Sequence, residues 1–147
     1  MPTQIKTVVV SGYFDGGPHS GHLELFKNAK KLGRVLVIVN NDEQSKLKKG
    51  YSFYTERERL YRILGCKDVD WAILSVDKDL GVSETLKHVT KYGQQLHIFY
   101  NDTYGQCRES DTCRELGIEV IYGDGPKITS SSDLIAEGVD RYLEACL

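Results

Sequence analysis

Apolar and polar positions follow two periods along this chain, and the switches between them mark its elements. Val8-Val9-Val10 is an uninterrupted β-branched run, which reads as a strand buried on both faces. Beyond it, Leu23, Leu25, Phe26 and Ala29 recur at helical spacing, and Gly33 is a plausible stop for that helix. Residues 34–39, RVLVIV, predict a second buried strand that ends at Asn40-Asn41-Asp42. The polar stretch 43–54 reads as a loop, and a helix then starts with Thr55 as N-cap and Leu60, Ile63 and Leu64 as its apolar stripe. Strands are expected at 71–76, 95–100 and 118–122, and helices at 81–91, 109–116 and 132–143. Strict alternation of five strands with helices predicts an α/β protein, a doubly wound five-stranded parallel sheet with helices on both faces. Such sheets bind ligands beyond the carboxyl ends of their strands, the edge where 12–22, 40–54, 100–106 and 123–131 fall.

Composition narrows the class. With 147 residues the chain makes one domain, 1–147, large enough for a proper core. Its 19 basic and 21 acidic residues are dispersed and sum to -2, so the charge pattern offers neither a nucleic-acid nor a membrane surface. Cys66, Cys107, Cys113 and Cys146 show no C-x-x-C spacing and read as reduced thiols, as expected for a cytoplasmic protein. The apolar run near the N-terminus is too short for a signal peptide, and no segment approaches 18 consecutive apolar residues.

The chemistry concentrates in three stretches. Between the first strand and the first helix stand Gly12-Tyr13-Phe14-Asp15, a Gly16-Gly17-Pro18 bend and His19-Ser20-Gly21-His22. The first N–H groups of a helix have no intrahelical partner and the helix dipole is positive there, so the junction favours an anion. His19 and His22, three apart in the first turn, can address the same anion, and Gly21 removes a side chain where a phosphate approaches the backbone. In the second stretch, Lys46, Lys48, Lys49 and Arg57 lie on the ligand side of the sheet and could neutralise a triphosphate and its leaving group, or else form a solvated basic loop. The third, 123–135, places Lys127, Thr129, Ser130 and Ser131 before the last helix, a second cradle for phosphate or a serine-rich cap. Asp15 could hold the turn through its carboxylate or touch a metal. His97 reads as a hydrogen-bonded sheet histidine, His88 lacks partners at zinc-binding spacing, and Trp71 suits a core or interface position.

The first stretch resembles the G-x-F-D-x-x-H-x-G-H signature of the HxGH nucleotidyltransferases, most nearly the glycerol-3-phosphate cytidylyltransferases and next the heptose-phosphate adenylyltransferases. The lysine-rich, tyrosine-containing second stretch and the I-x-S-S-S third stretch follow in the same family's order. This resemblance implies a Rossmann-like domain in which His19, His22, Lys46 and Arg57 are catalytic. It further implies that Gly12, Tyr13, Phe14, Asp15, Gly21, Asp102, Lys127, Thr129, Ser130 and Ser131 bind the nucleotide. The implied reaction joins a nucleoside monophosphate, from CTP or alternatively ATP, to a phosphorylated acceptor such as glycerol 3-phosphate or a sugar phosphate. Mg²⁺ is the implied cofactor and a homodimer the implied assembly. A non-catalytic nucleotide-binding module of the same fold is the other reading, and a flavodoxin-like electron carrier ranks behind both because the first turn lacks a Ser/Thr-rich phosphate loop. The chain departs from the family in having three residues between Asp15 and His19 instead of two, Asp124 near the family's arginine, and Asn101-Asp102 where relatives carry a glycine followed by acidic residues.

Overall fold

The computed structural model describes residues 5–101, 107–123 and 131–146. Five parallel strands, β1 (Thr7–Gly12), β2 (Arg34–Val39), β3 (Trp71–Leu74), β4 (Ile98–Asn101) and β5 (Glu119–Tyr122), form one sheet in the order β3-β2-β1-β4-β5. Between them run α1 (Ser20–Lys30), α2 (Asp42–Lys49), α3 (Glu56–Leu64), α4 (Ser83–Lys91) and α5 (Ser110–Leu116), with α6 (Ser131–Cys146) after β5. The order reverses beside β1, so the sheet is Rossmann-like and its switch point lies between β1 and β4.

Alternate residues of the central strands enter two separate cores. Val8 and Val10 of β1 with Val35, Val37 and Val39 of β2 pack with Leu25, Phe26 and Ala29 of α1 and Ile63 of α3. Val9, Leu36 and Ile38 face the other way, with Val82, Leu86, Phe99, Cys113 and Ile118. A strand in this position needs apolar residues on both sides, which is why β1 and β2 carry unbroken apolar runs. Gly33 serves a close approach: a Cβ there would lie 2.1 Å from the Lys6 carbonyl oxygen, which accepts the Arg34 N–H at 2.8 Å.

One element departs from expectation. Much of the stretch 43–54 is helical, because Asn41 and Gln44 form a reciprocal capping box, Asp42 and Glu43 occupy the first turn, and Lys46, Lys48 and Lys49 the last. Gly50, at φ 83°, ends the helix in the left-handed conformation. The buried residues of α2 are Gln44 and Ser45, so hydrophobic periodicity has nothing to report there. β4 begins at Ile98, later than expected, while His97 bridges to β1: its N–H donates to the Thr7 carbonyl and its Nδ1 accepts the Thr7 N–H at 2.9 Å. Trp71 is partly exposed on the edge strand with the Arg34 guanidinium 5.7 Å from its ring centroid.

Candidate nucleotide site

The turn after β1 is built around Phe14. This residue takes a left-handed conformation at φ 57° and buries its ring against Phe26 and His22, with centroids 5.6 and 4.8 Å away. A large side chain rarely adopts that backbone, and the apolar pocket offsets the conformational cost. Gly12 makes room for it, since a Cβ at that position would stand 2.7 Å from the Phe14 ring.

The bend brings two imidazoles onto the entry of α1. His19 is the N-cap, and its Nδ1 accepts the Gly21 N–H at 3.1 Å. His22 reaches back, and its Nδ1 accepts the His19 N–H at 3.3 Å, a capping box made of histidines. The rings stack with centroids 3.7 Å apart and planes 20° from parallel. A nitrogen that accepts an N–H carries no proton, so each neutral ring holds its proton on Nε2 and is a hydrogen-bond donor there. Gly17 belongs to the bend that lengthens the interval from Asp15 to His19. A Cβ on it would lie 2.7 Å from both His19 N and His22 Nδ1, the two atoms of that cap. The longer turn therefore leaves the histidine pair together.

Asp15 holds the turn to the chain beyond α2. One carboxylate oxygen accepts the Phe53 N–H and the other the Tyr54 N–H, both at 2.8 Å. Of the two roles open to this acid in the sequence, holding the turn is the one its contacts describe. Beside it lies Arg59, which is wholly buried. Its guanidinium donates to the carbonyls of Tyr13, Asn40 and Tyr54, and pairs with Asp42 at 2.9 Å. The end of β1, the end of β2, the start of α2 and the entry to α3 are thus fastened by one planar cation.

Sequence reasoning singled out Arg57 and missed Arg59. Arg57 is exposed in the first turn of α3, whereas Arg59 stands four residues before the buried Ile63 and shares its face. That i, i+4 relation to the apolar stripe is the signal that distinguishes them. Lys46 is exposed on α2. The Lys48 ammonium lies 4.3 Å from the ring centroid of Tyr13, and the Tyr13 hydroxyl donates to the Leu80 carbonyl at 3.3 Å. Burial raises the Tyr13 phenol above its ordinary range and the nearby Arg108 guanidinium opposes that rise, so the hydroxyl remains a donor at neutral pH.

A second polar frame supports the same edge of the sheet. Asn41 donates to the carbonyls of Ser75 and Asp77, and Gln44 to those of Asp79 and Gly81. The buried Asp77 accepts the N–H groups of Glu84 and Thr85 at the start of α4, and Glu109 accepts that of Val82. Asp102, Lys127, Thr129 and Ser130 lie outside the described residues, and Ser131 opens α6. Among the described residues no group of three or more His, Cys, Asp or Glu side chains could hold a metal ion, and no helix is long and apolar enough to cross a membrane.

A parallel sheet with its switch point beside a glycine turn, and paired imidazoles at the following helix entry, define an α/β nucleotide-binding domain of the HxGH nucleotidyltransferase class. The chain belongs to the cytidylyltransferase-like family, whose model matches residues 9–134. It is 37% identical over 82 residues to the FAD synthase of Methanothermobacter marburgensis, covering 53% of this chain and 50% of that protein. It is 38% identical over 71 residues to the bifunctional protein HldE of Blochmanniella pennsylvanica, covering 46% of this chain and 15% of that one. Among solved structures, the lipopolysaccharide core biosynthesis protein from Thermoplasma volcanium GSS1 superposes with a TM-score of 0.67 at 26% identity, covering 86% of this chain and all of the other.

Proposed function

We propose that this protein transfers a nucleoside monophosphate from a nucleoside triphosphate to a phosphorylated small-molecule acceptor. A phosphate oxygen of the acceptor attacks the α-phosphorus, the bond from that phosphorus to the oxygen bridging to the β-phosphorus breaks, and pyrophosphate leaves with the bridging oxygen. Such a displacement needs positioning and neutralisation of charge and no covalent intermediate. The observation that carries the reading is the histidine pair, whose Nδ1 atoms accept backbone N–H groups so that two Nε2–H donors stand at a helix N-terminus. Developing negative charge on the α-phosphate is what such donors stabilise. Lys46 and its neighbours on α2, with Arg57 of α3, would supply charge for the outer phosphates, and Asp102, Lys127, Thr129, Ser130 and Ser131 would contact the nucleotide, as the family resemblance implies. Both oxygens of Asp15 accept amides, so Mg²⁺ would ride mainly on the triphosphate and partly neutralise it.

Adenylyl transfer is the form favoured by the similarity to an FAD synthase, since FAD contains an adenylyl group joined through a pyrophosphate link to a flavin phosphate. Cytidylyl transfer to glycerol 3-phosphate is the second reading, favoured by the resemblance of the lysine-rich run Lys46 to Lys49 and the tyrosines after it to the glycerol-3-phosphate cytidylyltransferases. The test is pyrophosphate release with Mg²⁺, ATP or CTP in turn, and FMN, glycerol 3-phosphate and a panel of sugar phosphates as acceptors. Release that needs one nucleotide and one acceptor, and is lost in His22→Ala, is expected. Nucleotide binding without release for any pair would favour the non-catalytic module. A homodimer, checked by sedimentation equilibrium, and a cytoplasmic site of action complete the proposal.

A further inference from the structure

The helical form of α2 separates lysines that are equivalent in the sequence. Gln44 and Ser45 are the buried residues of this helix, and the Gln44 amide donates to the carbonyls of Asp79 and Gly81 in the segment between β3 and α4. Lys48 follows Gln44 by four residues and Ser45 by three, so it lies above that inward face. Lys46 is turned roughly 200° from Gln44 about the axis, toward the open side. The ring of Tyr13 receives the Lys48 ammonium at 4.3 Å. Tyr13 is held in turn at its far end by the Leu80 carbonyl, and its own carbonyl accepts from Arg59. A cation at the mobile end of four methylenes is thereby brought to the residue next to Gly12, in the same turn as the histidine pair.

We propose that Tyr13 is a positioning residue that holds Lys48 at the phosphate-binding turn, and that Lys48 is the α2 lysine whose charge the bound triphosphate chiefly uses. This rests on the nucleotide-transfer reading only in taking a nucleoside triphosphate as the ligand, and binding tests it apart from turnover. A cation over an aromatic face is attracted by the ring quadrupole, whereas the phenolic hydroxyl contributes only the tether to Leu80. Removing the ring should therefore matter more than removing the hydroxyl.

The decisive experiment is a double-mutant cycle in Tyr13→Leu and Lys48→Ala, read as Kd for Mg-ATP and Mg-CTP by calorimetry and as KM for whichever nucleotide supports pyrophosphate release. Tyr13→Leu is expected to weaken nucleotide binding roughly three- to tenfold, the range of a partly exposed cation–aromatic contact. It should have little further effect once Lys48 is alanine. Tyr13→Phe, which keeps the ring, should recover most of the loss. Equal losses from Tyr13→Leu with and without Lys48, or a Tyr13→Phe loss as large as that of Tyr13→Leu, would overturn the positioning role. Lys48→Ala and Lys46→Ala are exposed substitutions that leave the core alone. A larger loss in Lys46→Ala would overturn the assignment of the cation even if Tyr13→Leu failed to fold. Absence of pyrophosphate release with intact, Lys48-dependent nucleotide binding would remove the transferase reading and keep this inference.

Discussion

Single side chains in this protein hold long-range junctions, and removing them should show what each junction contributes. His19 acts both as the N-cap of α1 and as a site imidazole. His19→Ala should cost about 1 kcal/mol in urea unfolding, the usual worth of a cap. If it acts as proposed, pyrophosphate release should also fall by about 100-fold, the usual loss of one transition-state donor. Arg59 is a buried cation among three carbonyls and a carboxylate. Arg59→Met leaves those acceptors and Asp42 without their donor, and a loss of about 3 to 5 kcal/mol is expected by the same unfolding measurement. Arg57→Met, on the exposed side of α3, should change stability by less than about 0.5 kcal/mol. The two arginines stand two residues apart in the sequence and differ because a helix turns 100° per residue.

At the scale of the element, α2 is the most instructive case. Its stability comes from a capping box, a charge arrangement that suits the helix dipole and a glycine stop, with scarcely any apolar burial of its own. Gly50 has φ 83°, and a Cβ there would meet nothing within 4 Å. Gly50→Ala should therefore cost about 1 kcal/mol from backbone conformation alone, readable as a fall in Tm with no change in the core. The helices that apolar periodicity marks, α1 and α3, were legible because Leu25, Phe26 and Ala29, and then Ile63, enter the core. α2 was not, because its buried positions are Gln44 and Ser45, and the burial of Gln44 depends on the carbonyls of Asp79 and Gly81.

Across the whole molecule, two groups of titratable side chains give predictions of known sign. Desolvation would raise the Asp70 carboxyl, but hydrogen bonds from Lys30 and the Val35 N–H outweigh it and hold it below its ordinary 3.8. A depressed carboxylate contributes stability above its unfolded pKa and loses it as pH falls through the lower folded value. Asp70→Asn should thus destabilise at neutral pH by less than about 1 kcal/mol, as befits a part-exposed pair, and the difference from the parent should vanish in acid below that range. Burial pushes the Cys113 thiol up to about 12 and also raises Cys107 and Cys66. A colourless-to-yellow thiol reagent at pH 8 should label the exposed Cys146 first and Cys66 slowly, leaving Cys107 and Cys113 until denaturant is added.

The sequence by itself determined the alternation of buried strands and helices, the parallel sheet that follows from it and the position of the histidine turn at the ligand edge. Those features rest on local patterns: β-branched runs such as Val8 to Val10, apolar residues at helical spacing, and glycines beside a helix entry. Tertiary structure alone decided that Asp15 grips the amides of Phe53 and Tyr54, that the Arg59 guanidinium meets the carbonyls of Tyr13, Asn40 and Tyr54, and that the Lys48 ammonium lies over the Tyr13 ring. The physical reason is that apolar burial is nearly a property of the residue, whereas the burial of a charge depends on partners that folding brings from dozens of residues away.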